Sequence, residues 1–412
     1  MIAHFVNDCK KLPVEIWFFV LMTLINRMGA MVVPFMSKYL YEDLHFTYAQ
    51  IGSVMFCFGV GSIGGTFLVS RLARTYSAYK LMVLSMLLNG LMLFLLRYTK
   101  DFYMLCGMVF ILNVFADMFR PSMIATLKEY VKKEELIICF SLIRSATNFG
   151  FIIAPLIAGF LILYQGYDML FVIDSISSFI AIGFFVYFVK EKKLLYQINL
   201  VNIKSDPFVF FKDKLLLLHC LITVLTGVVF FQIFTVLPLY YTDVLKLEVI
   251  FNTYALVFYG CVLFLFEVAL VSFIRRKGVR TLNAILYGLL SMALGYTLLM
   301  AFSSVYTVFF ALIFLSFGVM LTFPFATDFV LERAFKKQEV EFMSYFQMSY
   351  GLAQLISAKY SQFLISGYGY ATDFVVNVVI AILGAVLTYF LIISVIKERK
   401  LKKQMISEAV FS

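Results

Sequence analysis

The sequence is poor in what a water-soluble globule needs for its surface. Charged residues occupy 14% of the 412 positions, against about 25% in soluble domains. Hydrophobic residues occupy 63%, against about 45–50%. Too few polar side chains remain to cover a soluble core, which excludes that class. The 48 Phe exclude disorder. Cysteine is scarce: Cys9, Cys57, Cys106, Cys139, Cys220 and Cys261 lie scattered, mostly inside apolar runs, with no CxxC pair. They read as small buried hydrophobes, which argues against a disulfide framework or a cysteine metal centre. No G-x-x-x-x-G-K-[ST] loop and no H-E-x-x-H motif occurs, so ATP hydrolysis by that route and zinc chemistry are not expected. Nor is there a soluble stretch to house an enzyme. Neither a cofactor nor a metal is expected.

What is present is apolar length. A helix crossing hydrocarbon needs about 20 mostly apolar residues. Twelve such stretches are predicted, at 14–38, 48–70, 80–97, 102–126, 137–163, 168–189, 214–241, 249–274, 281–302, 304–328, 340–365 and 373–396. Only helices satisfy the backbone over such lengths in lipid. The first stretch is too long for a cleavable signal and lacks an A-x-A-like site after it. With the N-terminus placed in the cytoplasm, the cytoplasmic loops and ends carry 26 of the 34 Lys and Arg, and the opposite side carries 4. That asymmetry predicts cytoplasmic termini in a cell inner membrane. It also accounts for the net charge of +10, so a nucleic-acid partner is not expected.

The charged loop 190–213 divides the chain into six-span halves, 1–189 and 214–412, the second ending in a short basic tail. A shift of 203 to 205 residues aligns Val33-Pro34-Phe35 with Leu237-Pro238-Leu239, Pro121 with Pro324, Ser141 with Ser344, and Phe171 with Phe374. A duplicated six-helix unit follows, and such units rock about a site near the membrane midplane.

Two local motifs carry a family resemblance. The loop after span two reads Gly65-Thr-Phe-Leu-Val-Ser70-Arg71-Leu72-Ala73-Arg74, and span five carries Gly150-Phe-Ile-Ile-Ala154-Pro155-Leu-Ile-Ala158-Gly159. Together with the twelve spans, they make the chain resemble the major facilitator superfamily, and within it the drug/proton-antiporter-like branch. The resemblance implies an all-α membrane protein of two pseudo-symmetric six-helix bundles working as a secondary transporter. It also implies a gating loop at Ser70, Arg71 and Arg74, where Ser70 stands in place of the family's acid.

Charges inside spans are costly and should face a cavity or a partner. Asn26 and Arg27 lie on span one. Asp117 and Arg120, three apart, share a face of span four, and Arg144 and Asn148 lie on span five. Their counterparts in the second half include Phe231, Phe323 and Gln347, with Gln232 beside Phe231. These nine residues other than Asp117 are the expected substrate-binding set: a charged wall facing an aromatic and amide wall. Such a cavity suits a small amphiphilic or anionic solute, since Arg presents a planar fork to carboxylate or phosphate. Asp117, Asp174 and Glu267 are the candidates for proton coupling, because Arg does not release its proton. The alternatives are a multidrug efflux antiporter, an uncoupled uniporter or channel, and an importer of a carboxylate, peptide or siderophore. The expected partners are the solute, protons and the lipid bilayer, around a monomer.

Overall fold

The computed structural model describes residues 12–73, 75–131, 136–192, 209–248, 250–334 and 339–411. Every regular element in them is helical. Span one comprises Val14–Gly29 and Val32–Glu42; spans two to six are Tyr48–Leu72, Ala78–Leu96, Phe102–Leu127, Leu136–Gln165 and Asp168–Phe188. Span seven comprises Lys214–Thr235 and Leu237–Asp243; spans eight to twelve are Ile250–Arg276, Thr281–Ala301, Val305–Arg333, Glu339–Tyr368 and Tyr370–Phe411. Eleven of these, among the described residues, are long and apolar enough to cross a membrane. Span eleven, at 30 residues, is as long but more polar. An even number of crossings brings both chain ends to one face, called here the terminal face; the other is the far face.

Spans one and seven are broken where the sequence predicts continuous helices. The first break falls at Ala30–Met31 and the second at Val236. Proline explains both. Pro34 and Pro238 lack an N–H, and each ring crowds the carbonyl four residues back, at Ala30 and Phe234. Asp174 of span six answers the first break. Its carboxylate accepts from the freed backbone N–H groups of Met31 at 3.2 Å and Val32 at 3.3 Å. That places a negative group on the N-terminus of the second segment, where the helix dipole favours it. Gly29 lets span six approach, since a Cβ there would lie 1.7 Å from the Ser177 hydroxyl.

The halves are distinct bundles. In the first, span four packs on spans two and three, span six on one and three, and span five on one. In the second, span nine packs on ten and twelve, span seven on eleven and twelve, and span eight on ten. Two seams join them, span two against eleven and span five against eight. Both seams depend on glycine. A Cβ at Gly59 would lie 2.6 Å from the Leu355 nitrogen, and one at Gly260 2.7 Å from the Phe151 carbonyl oxygen. Small residues let backbones meet where lipid offers no hydrophobic drive.

The duplication is visible in matched side chains as well as in matched breaks. Tyr39 lies against Phe171 in the first half as Tyr240 lies against Phe374 in the second, each at 5.1 Å between ring centroids. The turns that follow the broken spans each carry one non-glycine residue at φ 55°, His45 and Lys246.

Candidate functional site

Three ionic residues of the first half, Arg27, Asp117 and Arg120, come together on spans one and four. Arg27 is within electrostatic reach of Arg120, Asp117 and Asp174. The Asp117 carboxyl is held by the Ser62 hydroxyl of span two, with the Asn113 amide nitrogen at 3.5 Å. Asn113 is itself pinned by donating to the Phe58 carbonyl at 2.6 Å. Asp117 and Arg27 are half-buried, whereas Arg120 is exposed. Tyr350 of span eleven feels the Arg120 charge, so that exposed head faces the opposite half and not lipid. Asn26 turns away from this cluster and donates to the Ser178 hydroxyl at 3.3 Å.

The second half answers with a connected run of rings. Phe230 packs on Phe231 at 5.2 Å and on Phe323 at 4.8 Å; Phe323 meets Tyr350 at 5.3 Å, and Tyr350 meets Phe346 at 5.6 Å. Phe231, Phe323 and Gln347 are half-buried. Tyr350 is the member that sequence reading missed, although it lies three residues, about one turn, after Gln347 on the same helix. Gln232 sits elsewhere. It is 0% exposed, turned into the second bundle toward span eleven. His219 is also internal, with Nε2 3.0 Å from the Ala326 carbonyl oxygen.

Arg144, Asn148 and Glu267 form a separate group in the seam between spans five and eight. Arg144 pairs with the Glu267 carboxylate, and the Asn148 amide donates to it. Glu267 is 6% exposed while Arg144 is partly solvated. Arg144 and Asn148, expected in the substrate-binding set, and Glu267, a candidate for proton coupling, therefore tie the halves together beside the central cluster. Their separation in sequence, with Asn148 and Glu267 119 residues apart, hides the pairing. Glu267→Gln is expected to lower stability by about 1–3 kcal/mol, the value of charge-assisted hydrogen bonds reduced by the solvation of Arg144. Thermal unfolding in detergent checks this; an unchanged midpoint would show that the pair contributes nothing.

The far-face ends of the halves are joined by a polar lock that the sequence did not reveal. Lys38, 1% exposed, donates to Thr242 of span seven at 2.9 Å and pairs with Glu42 at 3.4 Å. Tyr167 donates to Glu42 at 2.5 Å. Tyr48 of span two and Tyr370 of span twelve both donate to Asp243. Thus each broken span ends in a carboxylate held by a phenol, with Lys38 and Tyr48 reaching across. Lys359 adds a bond to the Ser53 hydroxyl at 3.0 Å between spans eleven and two. At the end of span two, the Arg71 guanidinium lies 5.2 Å from the Phe67 ring centroid. Arg74 and the side chain of Ser70 lie outside the described residues.

Two six-helix halves with broken first helices, glycine seams and a mid-span ionic cluster define a multi-pass membrane transporter, not an enzyme. The chain belongs to the Major Facilitator Superfamily, whose sequence profile matches residues 19–358. It is 28% identical over 127 residues to the uncharacterized MFS-type transporter YceJ of Bacillus subtilis (strain 168). That match spans 31% of this chain and about a third of the relative, 32%. Among solved structures, the nucleoside transporter NupG superposes with a TM-score of 0.70 at 18% identity, covering 92% of this chain and 98% of the other. A POT family transporter in complex with a thioalcohol-conjugated peptide superposes with a TM-score of 0.76 at 13% identity, covering 93% and 96%. At these identities the likeness concerns the fold.

Proposed function

We propose that the protein is a proton-coupled secondary transporter that moves a small amphiphilic or anionic organic solute by alternating access. The observation that carries this is the Arg27–Asp117–Arg120 cluster facing the aromatic run through Tyr350. Arg144 is engaged by Glu267, and Asp174 accepts backbone amides. Asp117 and Asp174 together balance Arg27 and Arg120 in charge, but Asp174 is anchored on the span-one backbone, so a solute that binds the arginines competes with Asp117. The two guanidinium forks favour a carboxylate or phosphate on the solute. The rings supply an apolar face for the rest of it. Asp117 is the group that exchanges a proton as solute competes for Arg120.

The far-face lock corresponds to a state closed on that side. The Lys and Arg asymmetry supports an inner membrane with both termini in the cytoplasm and the far face outward. A monomer contains the whole site. The structural neighbours are named for a nucleoside and a peptide, so both classes belong in a screen. A drug/proton antiporter is the second reading. It is favoured by the span-five glycines, since Gly150 abuts the Arg27 backbone and Gly159 abuts Thr253.

The test has two steps. A thermal-shift screen of organic anions, nucleosides, peptides and drugs identifies a stabilising solute. Purified protein in liposomes is then given that solute and an imposed pH gradient. Accumulation collapsed by a protonophore is expected; flux that only runs downhill, indifferent to the gradient, would identify a uniporter or channel instead.

A further inference from the structure

The sequence scatters its cysteines, but the fold brings two of them together. Span two lies between span four of its own half and span eleven of the other. Toward span four it presents a row of small residues spaced four apart, Cys57, Gly61 and Gly65, which share one face of the helix. A Cβ at Gly61 would lie 2.4 Å from the Phe110 carbonyl oxygen, and one at Gly65 2.2 Å from that of Val114. Both contacts carry the same offset in sequence, from 61 to 110 and from 65 to 114. Spans two and four run in the same direction, so one turn nearer the far face that offset sets Cys57 opposite Cys106. The two thiols are hydrogen-bonded to each other.

The pair lies toward the far face. Cys106 is one turn into span four, after the Asp101 cap, and both cysteines are half-buried free thiols. The exposed Lys359 of span eleven is within electrostatic reach of Cys106 and donates to Ser53, one turn before Cys57.

We infer that Cys57 and Cys106 are a dithiol–disulfide couple that, when oxidised, staples span two to span four. Side chains in register on touching backbones meet the condition a disulfide sets, that neither helix has to move to close it. The oxidant is a small disulfide. The Cys57 thiolate attacks one of its sulfurs and releases a small thiol, which leaves a mixed disulfide on Cys57. Cys106 then attacks the Cys57 sulfur and releases the second small thiol. The cysteines lose two protons and two electrons, and the small disulfide gains both.

The staple has a mechanical role. Span two is held as closely on its other side, since a Cβ at Gly59 would lie 2.6 Å from the Leu355 nitrogen and one at Gly52 2.9 Å from Gln362, both of span eleven. When the halves part, span two must leave span eleven and stay with span four. A bond between Cys57 and Cys106 makes the span-four side covalent and leaves the other side free. That role rests on the rocking proposed above; the bond itself does not, and it is tested without solute or transport.

Purified full-length protein is equilibrated with mixtures of oxidised and reduced glutathione. Remaining thiols are alkylated, and disulfides are mapped by peptide mass spectrometry. The map is expected to join Cys57 to Cys106 within one molecule. Cys106→Ser should accumulate the mixed disulfide with glutathione on Cys57, whereas Cys220→Ser and Cys261→Ser should still form the bond. The oxidised protein should melt on the order of 5 °C above the reduced one, because the bond restricts the unfolded chain. Cys57→Ser should lose that difference. Alkylation of both cysteines at every glutathione ratio, or a separate glutathione on each, would overturn the inference. So would a linked pair that fails to raise the melting temperature, since it would show the helices pulled out of register.

Discussion

Asp117→Asn is expected to abolish solute accumulation driven by a pH gradient, while solute exchange between loaded and unloaded compartments continues. The substitution keeps the shape of the side chain and an oxygen for the Ser62 hydroxyl. It removes only the capacity to change charge. Exchange needs the halves to rock with solute bound; net accumulation needs a proton to come and go. A second effect follows from the same geometry. Arg120 and Arg27 lose the carboxylate that competes with the solute, so an anionic solute should bind more tightly, by about tenfold, or ~1.4 kcal/mol. Its affinity should also lose its pH dependence. Counterflow and binding measured between pH 5 and 8 separate these outcomes. Unchanged gradient-driven uptake in this variant would remove Asp117 from the coupling role.

The second large effect is expected at the far face. Asp243 receives hydroxyl bonds from Tyr48 of the opposite half and Tyr370 of its own. Hydrogen bonds to a charged group contribute about 1.5–3 kcal/mol each. Asp243→Asn weakens both and leaves Lys38–Thr242 and Lys359–Ser53 as the remaining polar bridges. Because only the bond to Tyr48 differs between a closed and an open far face, the population should shift toward open by roughly tenfold. In a background without native cysteines, a cysteine placed at the half-buried Leu245, which leaves the Lys38–Thr242 bond intact, reports this through a membrane-impermeant maleimide. Faster labelling in the Asp243→Asn background is expected. Equal rates would show that the phenol–carboxylate contacts do not hold the face shut.

The architecture was legible because hydropathy is written in every span and charge in the loops between them. Eleven spans stand out by composition; the more polar span eleven was still readable from its length and its place in the repeat. The broken helices were half legible. Pro34 and Pro238 were aligned as repeat partners, and the same prolines interrupt the helices. Yet Pro121, Pro155 and Pro324 sit in helices that continue, so proline alone does not announce a break. What distinguishes Pro34 is Asp174, which satisfies the amides a break releases.

The site was less legible, for two physical reasons. A span that is apolar around its whole circumference does not show which side faces the cavity. Gln232 neighbours Phe231 in sequence, but the helix turns it toward Ser361 while Phe231 joins the ring run. Long-range pairing is also invisible in one sequence. Nothing local connects Arg144 with Glu267, or Tyr48 with Asp243, and these contacts join the two halves. The buried Asp373 of span twelve carries no repeat signal, since its counterpart in the first half, Leu170, is apolar.

The central claim is that two rigid halves rock about the Arg27–Asp117–Arg120 cluster, opening and closing the far face. The most direct measurement is the distance between spin labels on the exposed far-face residues Asp43 and Val244, one in each half, read by pulsed electron resonance in lipid nanodiscs. The account expects a short distance as the resting population and a second, longer one whose share grows with Asp243→Asn and changes with solute and pH. One fixed distance under all of these conditions would contradict it.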